Sequence, residues 1–119
     1  MKYMLLIFSN PENWAALDEV GTKELMDEYW AFTQRITESG EFVSGEALQG
    51  ADTATVVRVR DTGRTTTDGP YVESKEVLAG YYVVDCASLD RALELAGQIP
   101  DARFAGVEVR PVADMGPTS

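Results

Sequence analysis

Two stretches of the chain, residues 3–8 and 78–84, are apolar at every alternate position and also at the positions between. In the first, Tyr3, Leu5 and Ile7 form one set and Met4, Leu6 and Phe8 the other; in the second, Tyr82 and Val84 oppose Tyr81 and Val83. Successive side chains of a strand point to opposite faces, so a strand that is apolar on both sides needs cover on both faces and belongs in the middle of a sheet. A chain of 119 residues has room for one domain with one core, which we place at residues 1–113. Two strong helices are available as cover. One runs over about 22–39, where Leu25, Tyr29, Phe32 and Ile36 recur at helical spacing, Met26, Trp30 and Thr33 widen the stripe, and Gly40 closes the end. The other starts behind Ser88 and carries Leu89, Ala92, Leu93, Ala96 and Ile99 before Pro100 stops it. Two helices cover one face of a sheet. The other face then requires a partner, and a second copy of the chain is the simplest one, so a homodimer is expected.

The weaker segments complete the order. Asn10-Pro11 signals a short helical turn over 11–17, and residues 42–48 suit either a strand or a loop. The β-branched run 53–60, the turn Asp61-Thr62-Gly63 and residues 64–67 predict a hairpin, and 106–112 alternates as a strand with one wet face. Residues 114–119 read as a disordered tail. The succession of strand, helix, strands, strand, helix and strand is that of an α+β, ferredoxin-like split βαβ fold: an antiparallel sheet with two main helices on one face.

Charge and composition narrow the function. Ten basic residues stand against twenty acidic ones, a formal net charge of −10, which argues against nucleic acid or an anionic membrane as partner, since phosphate binding draws on clustered Lys and Arg. The apolar start is too short for a signal-peptide core and lacks a basic leader, so a cytoplasmic protein is expected. Cys86 is the single cysteine and shows no zinc or redox spacing. There is no histidine, which excludes His-based acid/base catalysis, Ser-His-Asp triads and His metal sites. We expect no metal and no cofactor.

Polar residues are ordered most tightly from 67 to 86, where Asp68-Gly69-Pro70 is a turn signal and Asp68, Glu73, Lys75 and Glu76 precede the second buried strand. Two readings of these charges stand side by side. In one, Asp68, Tyr71, Glu73 and Lys75 are polar contacts for a small ligand, Lys75 anchoring an anionic group and one desolvated carboxylate able to exchange a proton. In the other, Asp68 accepts backbone hydrogen bonds in its turn and Lys75 bridges carboxylates. On an extended segment Glu73 and Lys75 would share one face, with Ser74 and Glu76 on the other. Ser74 has no histidine to activate it as a nucleophile. Asp85 sits at the far end of the strand, Arg58 and Arg60 share one face of theirs, Trp30 belongs either to the core or to a pocket wall, and Gly80 marks a close approach of backbone or ligand.

Asp68-Gly69-Pro70-Tyr71, Glu73, Ser74-Lys75-Glu76 and Gly80-Tyr81 together resemble the Asp-Gly-Pro-Phe motif family within the YCII-related superfamily, the likeness running from residue 2 to about 112. Tyr71 stands where Phe is usual. The resemblance implies the dimeric α+β-barrel type, in which two sheets pack face to face. Superfamily members proposed to be catalytic resemble users of a His/Asp pair, and this chain has no histidine to supply, so a carried-over lyase or dehydrochlorinase activity lacks a partner for its acid. Three functions remain: a homodimeric module binding a small polar or aromatic metabolite in an inter-subunit cleft, an enzyme moving protons with a carboxylate on the same ligand, and a regulatory protein-interaction module.

Overall fold

In the computed structural model, which describes residues 1–115, strands β1 (Lys2–Ser9), β2 (Phe42–Ala47), β5 (Val77–Asp85) and β6 (Gly106–Pro111) form one antiparallel sheet in the order β2-β5-β1-β6. The remaining strands, β3 (Thr55–Arg60) and β4 (Gly63–Asp68), pair only with each other. Both doubly apolar stretches are therefore central. β1 lies between β5 and β6, with Leu5 opposite Tyr82 and Val109, and β5 lies between β1 and β2. The ambiguous segment 42–48 is an edge strand.

The helices are α1 (Pro11–Ala15), α2 (Glu19–Glu38) and α3 (Leu89–Gly97). Asn10 caps α1 by accepting from the Glu12 amide at 3.0 Å, with Pro11 in the first turn. α2 begins three residues earlier than its apolar spacing predicts, because Asp18 accepts from the Gly21 amide at 2.7 Å and so starts the helix ahead of the first core-facing residue. It ends in a Schellman motif. Gly40 takes φ +81°, its amide donates to Thr37, and the Glu41 amide reaches back to Ile36. Ser88 caps α3, which stops at Gly97; Pro100 is thus not the terminator but opens a separate short 3₁₀ turn, Pro100–Arg103.

Phe32 and Ile36 of α2, and Ala92, Leu95 and Ala96 of α3, meet Tyr3, Leu5, Ile7 and Val84 in the core, so both main helices cover one sheet face. This is the ferredoxin-like arrangement. The opposite face is left partly open: Met4, Leu6 and Phe8 on β1 and Tyr81 and Val83 on β5 are half-buried, with Leu6 beside Tyr81 and Met4 beside Val83.

Glycine sets the fit of the central strands. A Cβ on Gly80 would stand 2.7 Å from the Glu46 carbonyl oxygen and 3.3 Å from Ala47 Cα, so β2 and β5 approach each other there as only glycine permits. Irregularities in register flank the contact, between Ile7 and Phe8 on β1 and between Phe42 and Ser44 on β2.

The hairpin β3–β4 stands off the body. Its two-residue turn leads into Gly63 at φ +118°, every residue of β4 is exposed, and Val57 and Val59 are exposed on β3. The radius of gyration, 16.4 Å, exceeds the roughly 13.5 Å of a compact chain of this length. A projecting arm accounts for the difference. The expected tail, 114–119, has its last four residues outside the described residues. None of the helices among the described residues is long and apolar enough to cross a membrane.

Candidate functional site

The motif segment forms a loop between β4 and β5. Gly69, at φ +104°, donates its amide to the Ala54 carbonyl at 2.8 Å, so backbone and glycine geometry hold the turn. The side chain of Asp68 makes no hydrogen bond or ion pair among the described residues, and neither do those of Glu73 and Lys75. All three are exposed, as is Tyr71, whose ring lies 5.4 Å from the Arg58 guanidinium carbon. A depression of about 1170 Å³ runs beside the loop, taking in Tyr71, Ser74 and Lys75 with Phe8 and Leu78 across from them. Asp68 and Glu73 stand outside it. Residues 71–76 are not a strand, so the alternation that would put Glu73 beside Lys75 does not operate: Ser74, Lys75 and Glu76 all reach the same depression. Asp85 accepts from the Met1 amino group at 2.9 Å, and that bond holds its carboxyl below the usual carboxylate range.

A second cleft, of about 430 Å³, lies on the helix side between α1, α2 and the ends of β1, β2 and β5. Its volume falls in the range of small-molecule sites. Both tryptophans of the chain line it, Trp14 from α1 and Trp30 from α2, together with Tyr29, Thr33, Tyr82 and Asp101. Asp101 is only 2% exposed, and its carboxylate accepts from Trp14 Nε1 at 3.1 Å and from the Tyr29 hydroxyl through a short hydrogen bond. An indole N–H and a phenol are the usual polar ends of large apolar side chains, and here both end on one buried acid.

A second polar strand of contacts runs up α2. The Thr33 hydroxyl donates to the Tyr29 carbonyl at 3.0 Å, which uses its single proton, so the Tyr82 hydroxyl, 2.6 Å from Thr33 Oγ1, must be the donor of that pair. Burial, and then the bond to Asp101, pushes the Tyr29 phenol far above its ordinary value; burial also raises Tyr82. Both stay protonated as donors. Phe32 and Phe42 stand edge-on to Tyr82 at 5.2 and 6.3 Å and fix its ring, while Trp30 is 70% exposed at the mouth.

The sequence leaves Trp30 either in the core or at a pocket wall, and it does not single out Trp14, Thr33, Tyr82 or Asp101 as site residues. Trp14 and Asp101 are 87 residues apart and meet only through the fold. The available signal was an aromatic-rich helix face opposite a strand carrying Gly80, which lines the cleft together with Gly45.

The YCII-related domain matches residues 1–116 of the chain. An uncharacterised protein, R00369, of Rhizobium meliloti (strain 1021) is 30% identical over 115 residues, which span 95% of this chain and 93% of that one. Among solved structures, 5-chloro-2-hydroxyhydroquinone dehydrochlorinase (TftG) from Burkholderia phenoliruptrix AC1100, in complex with 2,5-dihydroxybenzoquinone, superposes with a TM-score of 0.53 at 13% identity, covering 95% of this chain and 94% of that chain. That degree of likeness shows a common fold.

Proposed function

The chain belongs to the YCII-related domain family, and from that footing we propose that it is a homodimeric module that binds a small aromatic metabolite in the cleft between α2 and the sheet. The observation that carries the proposal is the convergence of Trp14, Tyr29, Trp30 and Tyr82 around a buried carboxylate in a cavity of ligand size. The motif depression is larger, but Tyr71, Ser74, Lys75 and Glu76 in its walls are exposed, whereas Trp14, Tyr29 and Tyr82 of the aromatic cleft are each held by a hydrogen bond. The proposed ligand lies in this cleft within one subunit and not at the motif loop of Asp68, Tyr71, Glu73 and Lys75. The structural neighbour was solved with a small quinone, which is compatible with an aromatic occupant.

Binding is favoured over catalysis because the chain has no histidine to act as acid or base. The dimer rests on the half-open apolar face of Met4, Leu6, Phe8, Tyr81 and Val83, which a second sheet of the same kind would close. A reducing cytoplasm suits the lone, buried, unpaired Cys86.

Both tryptophans line the cleft, so indole emission, excited beyond the tyrosine band, reports on it with no tryptophan elsewhere. Titration with a panel of small phenols, quinols and benzylic compounds is expected to quench or shift that emission saturably, and Trp30→Ala to weaken the response without lowering the melting temperature. A panel that leaves the emission unchanged overturns the ligand proposal. Light scattering tests the dimer separately: the parent is expected at twice the chain mass and Leu6→Glu at the chain mass, and a monomeric parent at micromolar concentration overturns it.

A further inference from the structure

We propose that the aromatic cleft takes an organic cation, an ammonium group carried on an aromatic or bulky apolar body. This rests on the ligand proposal above and narrows its class. The charged residues that line the cleft are Glu46 and Asp101, both acids, with no lysine or arginine among its walls. Arg103, two residues after Asp101, pairs with Glu28 at 2.8 Å, and Arg35 of α2 donates to Gln98 at 3.2 Å. Lys75 belongs to the motif depression.

Asp101 is the unusual group. A buried carboxylate is ordinarily matched by an opposite charge, because removing it from water is costly. Here it is almost wholly buried, has no cation within ion-pair distance among the described residues, and is held by two neutral donors, Trp14 and Tyr29. Each carboxylate oxygen keeps a further lone pair, so the group can accept one more bond from an occupant. An ammonium group supplies both that donor and the missing charge.

The rings complete the match. Trp14, Tyr29, Trp30 and Tyr82 stand about the same cavity, and an aromatic π face attracts a cation, Trp most strongly, more so as the site is desolvated. Exposed Glu46 at the margin adds a second negative charge, and the chain's net charge of −10 raises the local concentration of cations around it. An anionic ligand meets two acids and no base. A neutral aromatic keeps only the apolar part of the interaction.

The test compares benzylammonium, benzyl alcohol and benzoate, which share the ring and differ in charge, at about neutral pH and low salt, read by the fluorescence of Trp14 and Trp30. Benzylammonium is expected to bind about tenfold more tightly than benzyl alcohol, with benzoate weakest. Asp101→Asn should bring the cation close to the alcohol. Because that change touches a buried group, Glu46→Gln serves as the second variant: its side chain is exposed, so it should lower cation affinity a few-fold, leave the alcohol unchanged and melt like the parent. Benzyl alcohol binding as tightly as benzylammonium, or benzoate binding more tightly, overturns the cation assignment and leaves the ligand proposal standing. No response to any of the three overturns both.

Discussion

Replacing Gly80 with alanine adds a single methyl group, and the structure says where that methyl must go. Its Cβ would stand 2.7 Å from the Glu46 carbonyl oxygen, closer than the 3.0 Å below which real Cβ atoms essentially never approach, so β2 and β5 must shift apart at this point. The obstacle is backbone in a paired strand, not the free end of a side chain, so relief requires moving the strand. Overpacking of this kind costs about 1–3 kcal/mol. A chain of 119 residues melts with an entropy of roughly 0.25 kcal/mol/K, so the melting temperature should fall by about 4–12 °C. Gly97 provides the control. It ends α3 at a helical backbone conformation and a Cβ there meets nothing within 4 Å, so Gly97→Ala should gain about 0.4–1 kcal/mol by restricting the unfolded chain. The same chemical change thus acts in opposite directions at two positions. Differential scanning calorimetry on both variants reads the signs, and Gly80→Ala melting at or above the parent would refute the close-approach reasoning. Gly80 and Glu46 both line the aromatic cleft, so the destabilised variant should also respond more weakly to aromatic ligands.

Tyr29→Phe removes one of the two donors to the buried Asp101 carboxylate and should cost about 1–3 kcal/mol in chemical denaturation, whereas loss of the exposed Tyr71 hydroxyl in Tyr71→Phe should cost almost nothing. Tyr29 and Tyr82 have raised folded values, so their contribution is complete below the ordinary phenol value of 10.0 and is lost as pH rises beyond it, because the unfolded chain ionises first. Phenolate absorbance should therefore show Tyr29 ionising only as the chain unfolds. Glu41 behaves oppositely. Its two bonds from Arg91, each 2.9 Å, lower its folded value, so the unfolded state binds the proton first; the parent's advantage over Glu41→Gln is full above the ordinary 4.5 and fades as pH falls through the lowered value, as melting curves across that window would read.

The frame of the fold was legible because it rests on two local signals. Doubly apolar runs put β1 and β5 in the centre, and apolar periodicity with caps at Ser88 and Gly40 gave the two main helices. Edges were less legible: Asp18 started α2 before any core residue, and Pro100 opened a 3₁₀ turn beyond a helix that Gly97 had already ended. The cleft was largely illegible. The most patterned polar stretch, Asp68 to Glu76, is an exposed loop, because turn chemistry and charge concentrate at surfaces as readily as at sites. Nothing local in the sequence around Asp101 tells that Trp14 and Tyr29 converge on it. Trp30, which the spacing left between core and pocket wall, is exposed at the mouth of the cleft.

The most direct measurement of the central claim is a crystal structure of the protein grown with saturating benzylammonium. The account predicts the ring between Trp14 and Trp30, with the nitrogen within hydrogen-bond distance of Asp101. A ring bound in the depression beside Tyr71 and Lys75 instead, with the cavity around Trp14 and Trp30 empty, would contradict it.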